Sequence, residues 1–132
     1  MLDKGYELMA QSYRDLEIYR LSHTLAVEIH KASLKLPRFE MYEEGNQLRR
    51  AAKSIPSNTV EGFGRRRYKN EFLKFLVYAL ASCDETREHL GILFETGSLE
   101  NNESFKYFLD KYNELGRKIN NFIKAVNSGH MT

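Results

Sequence analysis

Four stretches of the chain repeat apolar residues at steps of three and four, the spacing that lines one face of an α-helix. In the first, Ile18, Leu21, Leu25, Ile29, Ala32 and Leu36 share a face, which predicts a helix over about 14–36. Pro37 ends it, because proline disfavours helical geometry in the residue before it. A short linker, Pro37 to Glu44, follows. The second helix, about 44–64, carries Leu48, Ala52, Ile55, Thr59 and Phe63 on one face. Pro56 interrupts it. Lacking an N–H, it cannot donate to the Ala52 carbonyl, and its ring crowds that turn. A kink there is expected; the other option is a helix that restarts with Pro56 as its first residue. Gly64 is a candidate left-handed stop.

The third stretch, about 68–96, is the most continuous. Tyr68, Phe72, Phe75, Leu76, Ala79, Cys83, Thr86, Leu90 and Leu93 form one stripe, and Gly97 closes it. A second stripe of Leu73, Val77 and Leu80 lies beside the first. From Phe72 to Ala81 only Lys74 breaks the apolar surface, so this helix must be covered on more than one side. The fourth helix, about 102–127, presents Phe105, Phe108, Leu109, Tyr112, Leu115, Ile119, Phe122, Ile123 and Val126, with Asn101 or Asn102 as its cap. The tail from Asn127 is expected to fray. No stretch alternates like a strand, and no internal repeat is present. The fold class expected is all-α: one domain, 1–132, an antiparallel up-down four-helix bundle with its second helix kinked at Pro56.

Composition narrows the function. A chain of 132 residues buries enough surface to need no disulfide or metal staple, and a single cysteine excludes an internal disulfide. No run of about 18 apolar residues is present, and the acidic N-terminal segment does not resemble a secretory signal. A cytoplasmic protein without membrane contact is expected. The net charge of +2 conceals an asymmetry. Between Gly45 and Tyr78, eight cations face only Glu61 and Glu71, a net +6; the remainder of the chain is therefore −4.

Catalytic patterns are missing. A di-iron bundle needs Glu-x-x-His on two helices, and no histidine here has an acid three residues before it. Glu85 and His89, one turn apart, are read as a solvated pair rather than a metal site. Gly62-Phe63-Gly64 opens like a dinucleotide fingerprint, but Arg67 stands where its third glycine belongs and no strand precedes it. Cys83 falls on the core stripe and reads as a small buried hydrophobe. The expectation is a protein that is not an enzyme and takes no cofactor, metal or small-molecule substrate.

The basic segment offers a surface instead. Arg49, Arg50 and Lys53 group on the second helix, and Arg65, Arg66, Arg67 and Lys69 at its end. Guanidinium forks match phosphate oxygens, so these seven residues are the candidate nucleic-acid contacts. Tyr68 could stack on a base, although it fits the core stripe better. Between the two groups, Ser54, Pro56, Ser57, Asn58 and Thr59 form a polar stretch assigned a structural role, with Glu61 and Gly62. Asn58 or Ser57 is expected to satisfy groups disturbed at Pro56, and Glu61 to pair internally with an arginine.

One run is distinctive: Gln47-Leu48-Arg49-Arg50-Ala51-Ala52-Lys53-Ser54-Ile55-Pro56-Ser57-Asn58, then Glu61-Gly62-Phe63-Gly64-Arg65. It resembles the signature of the ribosomal-RNA intervening-sequence proteins, also called the four-helix bundle protein family. The resemblance begins with Arg14-Asp15-Leu16-Glu17-Ile18-Tyr19, continues through Glu71-Phe72, Phe75-Leu76 and Ala81-Ser82-Cys83-Asp84-Glu85-Thr86, and spans about Tyr13 to Val126. Thr59 replaces the isoleucine common there. The resemblance implies a bundle that assembles as a homopentamer, and a related branch of accessory proteins that binds nucleic acid and a reverse transcriptase through a basic ring. Independently, Leu73, Val77 and Leu80 exceed what one core needs and are the candidate oligomer interface. Two functions are expected: an oligomeric accessory protein binding RNA or a nucleic-acid enzyme, or an oligomeric scaffold for another protein.

Overall fold

The computed structural model describes residues 10–129, and all regular structure among them is helical. The acidic N-terminal segment before Ala10, and the tail beyond Gly129, lie outside that range. A 3-10 turn at Tyr13–Asp15 precedes α1 (Glu17–Ser33). After it come α2 (Arg38–Tyr42), α3 (Glu44–Gly64), α4 (Lys69–Glu95) and α5 (Asn102–Asn127).

Local chemistry explains most of the boundaries. Ser12 and Asp15 form a reciprocal capping box at the opening turn. Helix α1 stops at Ser33, three residues short of Leu36, as Lys35 and Leu36 bond back by three residues rather than four. Pro37 does not lead into a plain linker but takes the N-cap of α2, a five-residue helix. Asn101 takes the N-cap of α5, its side chain accepting from the N–H groups of Glu103 and Ser104. Gly97, at φ 81°, closes α4 in the left-handed region, and Leu99 N–H reaches back to Leu93 O at 2.9 Å. Gly64 corrects the expectation: it ends α3 without entering that region.

Helix α3 continues through the buried Pro56. The nearby Asn58 amide donates to Ser54 O and Ser54 Oγ, both at 2.9 Å, rather than answering the Ala52 carbonyl. Ser82 of α4 donates to the same Ser54 Oγ at 2.9 Å, so the polar stretch ties α3 to α4. Ser57 is exposed.

Helix α3 packs against both α1 and α4, α4 against α5, and α5 returns to α1. Glu17 meets Lys118 while Glu28 meets Tyr107, so α1 and α5 run in opposite directions. Glu44 meets His89 and Ser54 meets Ser82, the same relation for α3 and α4. One continuous core results, with Phe72, Leu76, Ala79 and Cys83 of α4 fully buried among Leu25, Ile55, Leu115 and Ile119. A Cβ on Gly62 would lie 3.0 Å from the Phe75 Cβ, so glycine lets α3 and α4 approach just before the turn that joins them.

Candidate nucleic-acid interface

The α3–α4 turn is built by the last carbonyls of α3. Arg65 N–H donates to Gly62 O at 3.0 Å, Arg66 N–H to Phe63 O at 3.1 Å, and Tyr68 N–H to Arg65 O at 2.8 Å. Five consecutive residues, Arg65 to Lys69, therefore project from one end of the molecule, and their charges are not equivalent. The Arg65 guanidinium is held by Glu61 at 3.0 Å and Glu71 at 3.1 Å. The Glu61 hydrogen bond is the main cause that raises its pKa. Glu61 thus pairs with an arginine as expected, but on the surface rather than internally. Arg66 donates to Phe63 O at 3.0 Å and lies 3.9 Å above the Phe63 ring, which fixes its position without neutralising it. Arg67 and Lys69 are exposed, and neither pairs with a carboxylate among the described residues.

Tyr68 corrects the core-stripe reading. It takes the N-cap of α4 in extended backbone (φ −107°, ψ 101°), off the helical face, and is 63% exposed. An aromatic ring therefore stands among Arg66, Arg67 and Lys69, with the Arg67 guanidinium 5.9 Å from its centroid.

A family model described as 23S rRNA-intervening sequence protein matches residues 14–121. The chain belongs to this family. A crystal structure at 1.70 Å of a protein of unknown function from the S23 ribosomal protein family of Bacteroides thetaiotaomicron has the same fold. Its TM-score is 0.74 at 21% identity, covering 81% of this chain and 95% of that one. No curated protein matches.

The basic residues earlier on α3 separate from the turn. Arg50 lies fifteen residues before Arg65, about 22 Å along a helix. Arg50 and Lys53 are exposed. Arg49 is a correction: its guanidinium donates to Ser33 Oγ and Met41 O, both at 2.9 Å, and so braces α3 against the end of α1 and against α2. The seven expected contacts resolve into a turn cluster, two outlying cations and one structural arginine.

The candidate interface on α4 also divides. Leu73 and Leu80 are partly buried against the core of their own chain. Val77 remains 49% exposed, with Tyr78 beside it at 47%. His89 does not pair with Glu85; it hydrogen-bonds Glu44 on α3. Burial pushes the Cys83 thiol up to about 11, and among the described residues no three His, Cys, Asp or Glu side chains group as a metal site. No helix among the described residues is long and apolar enough to cross a membrane.

Sequence reasoning missed a groove between α1 and α3, with a volume of about 490 Å³. Ala26, Pro56 and Val60 give it an apolar base, the exposed Val27 adds an apolar edge, His30 also lines it, and the exposed Lys31 and Lys53 stand at its rim. Its signal in the sequence is divided between two helices: His23, Val27 and His30 at helical spacing on one, Lys53, Pro56 and Val60 on the other.

Proposed function

We propose that the four long helices form an antiparallel up-down four-helix bundle, and that this protein is not an enzyme but a self-assembling RNA-binding or accessory protein. RNA contact is assigned to the α3–α4 turn. The observation that carries this reading is Tyr68, exposed beside three cations that no carboxylate offsets among the described residues. Arg66, Arg67 and Lys69 neutralise phosphates, and the Tyr68 ring stacks on an unpaired base. Unpaired RNA suits this better than duplex, because stacking needs a base free of its partner. Arg65 orders the turn through Glu61 and Glu71 and contributes little charge. Arg50 and Lys53 stand too far along α3 to touch the same few nucleotides.

Self-assembly is supported by Val77 and Tyr78, large apolar groups left exposed on a helix otherwise packed on two neighbours. Each added copy repeats the turn cluster, so weak phosphate contacts add through multivalency.

Gel retardation of a single-stranded RNA oligonucleotide tests the reading. The wild-type chain is expected to bind at low salt, and the Arg67→Glu, Lys69→Glu double variant to lose at least tenfold in affinity. No retardation by the wild-type chain at low salt overturns the RNA reading and leaves the scaffold for another protein.

A further inference from the structure

Two surfaces remain that the turn cluster does not use, and they complement each other. The first is the groove between α1 and α3, where no lining residue is acidic. Arg49 bonds Ser33, so the two helices pass with Lys53 toward the Lys31 end and Val60 toward Tyr19. The groove is therefore graded along its length: aromatic and apolar at Tyr19 and Val60, cationic at Lys31 and Lys53. The second surface is the outer face of α4. Val77, Tyr78 and Ala81 are exposed there, followed on the same face by Asp84, Glu85 and Glu88, all exposed. This face is graded in the same sense, apolar first and acidic after. Val77 to Glu88 spans about 16 Å of helix and Tyr19 to Lys31 about 18 Å, so the lengths match.

We propose that the α1–α3 groove of one copy receives the outer face of α4 from a second copy, with the α4 of that copy parallel to α1. The assignment rests on the self-assembly reading above and names the two surfaces that meet. Tyr78 and Val77 fill the apolar part of the groove, a helix-in-groove contact. Glu85 and Glu88 reach Lys31 and Lys53 at the cationic end. Charge favours the pairing: two α4 faces packed in parallel set acid against acid, and packed in either sense they leave the groove cations Lys31 and Lys53 unmatched. Because the two surfaces differ, the contact is heterologous. Repetition of a one-way contact then closes a ring or continues as a filament.

Charge reversal with light scattering after gel filtration tests this. The wild-type chain is expected to run as an oligomer. The groove variant Lys31→Glu, Lys53→Glu and the face variant Glu85→Lys, Glu88→Lys are each expected to fall to the 15.5 kDa monomer, with helical circular dichroism retained. The quadruple variant restores opposite charges across the contact and is expected to reassemble; that recovery also shows that the parent variants did not simply misfold. An oligomer whose mass neither pair of reversals changes, or a quadruple variant that stays monomeric, overturns this contact and leaves self-assembly standing. A monomeric wild-type chain overturns both. The RNA test uses other variants, Arg67→Glu and Lys69→Glu, and mass is the readout here, so failure of this contact and failure of the RNA reading are told apart.

Discussion

Tyr112 is fully buried on α5, and its hydroxyl has no hydrogen-bond partner. A buried, unsatisfied hydroxyl costs about 1–3 kcal/mol. Tyr112→Phe removes that group and keeps the ring, so it is expected to raise stability by about 1 kcal/mol, read as a higher melting temperature. A fall of similar size would show that the hydroxyl is satisfied. Nearby, burial raises the Cys83 thiol from 9.0 to about 11. The folded state thus holds the proton more tightly than the unfolded chain. The associated stability is fully present below pH 9 and is lost as pH rises from 9 through 11, by at most about 1.4 kcal/mol per unit. Urea unfolding across that window is expected to show a steeper loss in the wild-type chain than in Cys83→Ala; equal slopes would remove Cys83 as the cause. The sequence placed Cys83 correctly because its position on a long stripe reports burial directly. For Arg49 it did not, because a side chain that crosses to Ser33 and Met41 leaves no mark in local periodicity.

At the scale of elements, the joint between α3 and α4 carries the close packing of two helices and the proposed RNA contact. Gly62→Ala would set a Cβ 3.0 Å from the Phe75 Cβ and 3.3 Å from Phe72 O. Forcing the helices apart is expected to cost about 1–3 kcal/mol in denaturant titrations, and an unchanged midpoint would show that α4 gives way freely. The boundaries of α3 and α5 were legible in the sequence, since both are long, periodic and clearly terminated. Helix α2 was not, because five residues are too few to display a period. Tyr68 was misread for a related reason: it stands four residues before Phe72, in step with the stripe, but the capping residue of a helix has extended backbone and leaves the face. That error concealed the aromatic member of the turn cluster. Tyr68→Ala is expected to weaken RNA retardation by about 1–3 kcal/mol, the range for one stacked base, with the helical circular dichroism unchanged; undiminished affinity would exclude stacking.

Across the whole molecule, the concentration of positive charge between Gly45 and Tyr78 was visible from composition, but its distribution was not. Folding pairs Arg65 with two acids, commits Arg49 to the α1–α3 junction, and leaves Arg67 and Lys69 exposed at one end. The groove was equally hidden, because its floor and rim come from two helices about thirty residues apart. The central claim is that the exposed turn, rather than the basic segment as a whole, contacts phosphate. Its most direct test is the dependence of RNA affinity on salt for the wild-type chain, Arg67→Ala and Arg50→Ala. Removing one phosphate contact lowers the magnitude of the slope of log affinity against log salt by about 1. The account predicts that Arg67→Ala shows this decrease while Arg50→Ala keeps the wild-type slope. An unchanged slope for Arg67→Ala, or an equal decrease for Arg50→Ala, would contradict it.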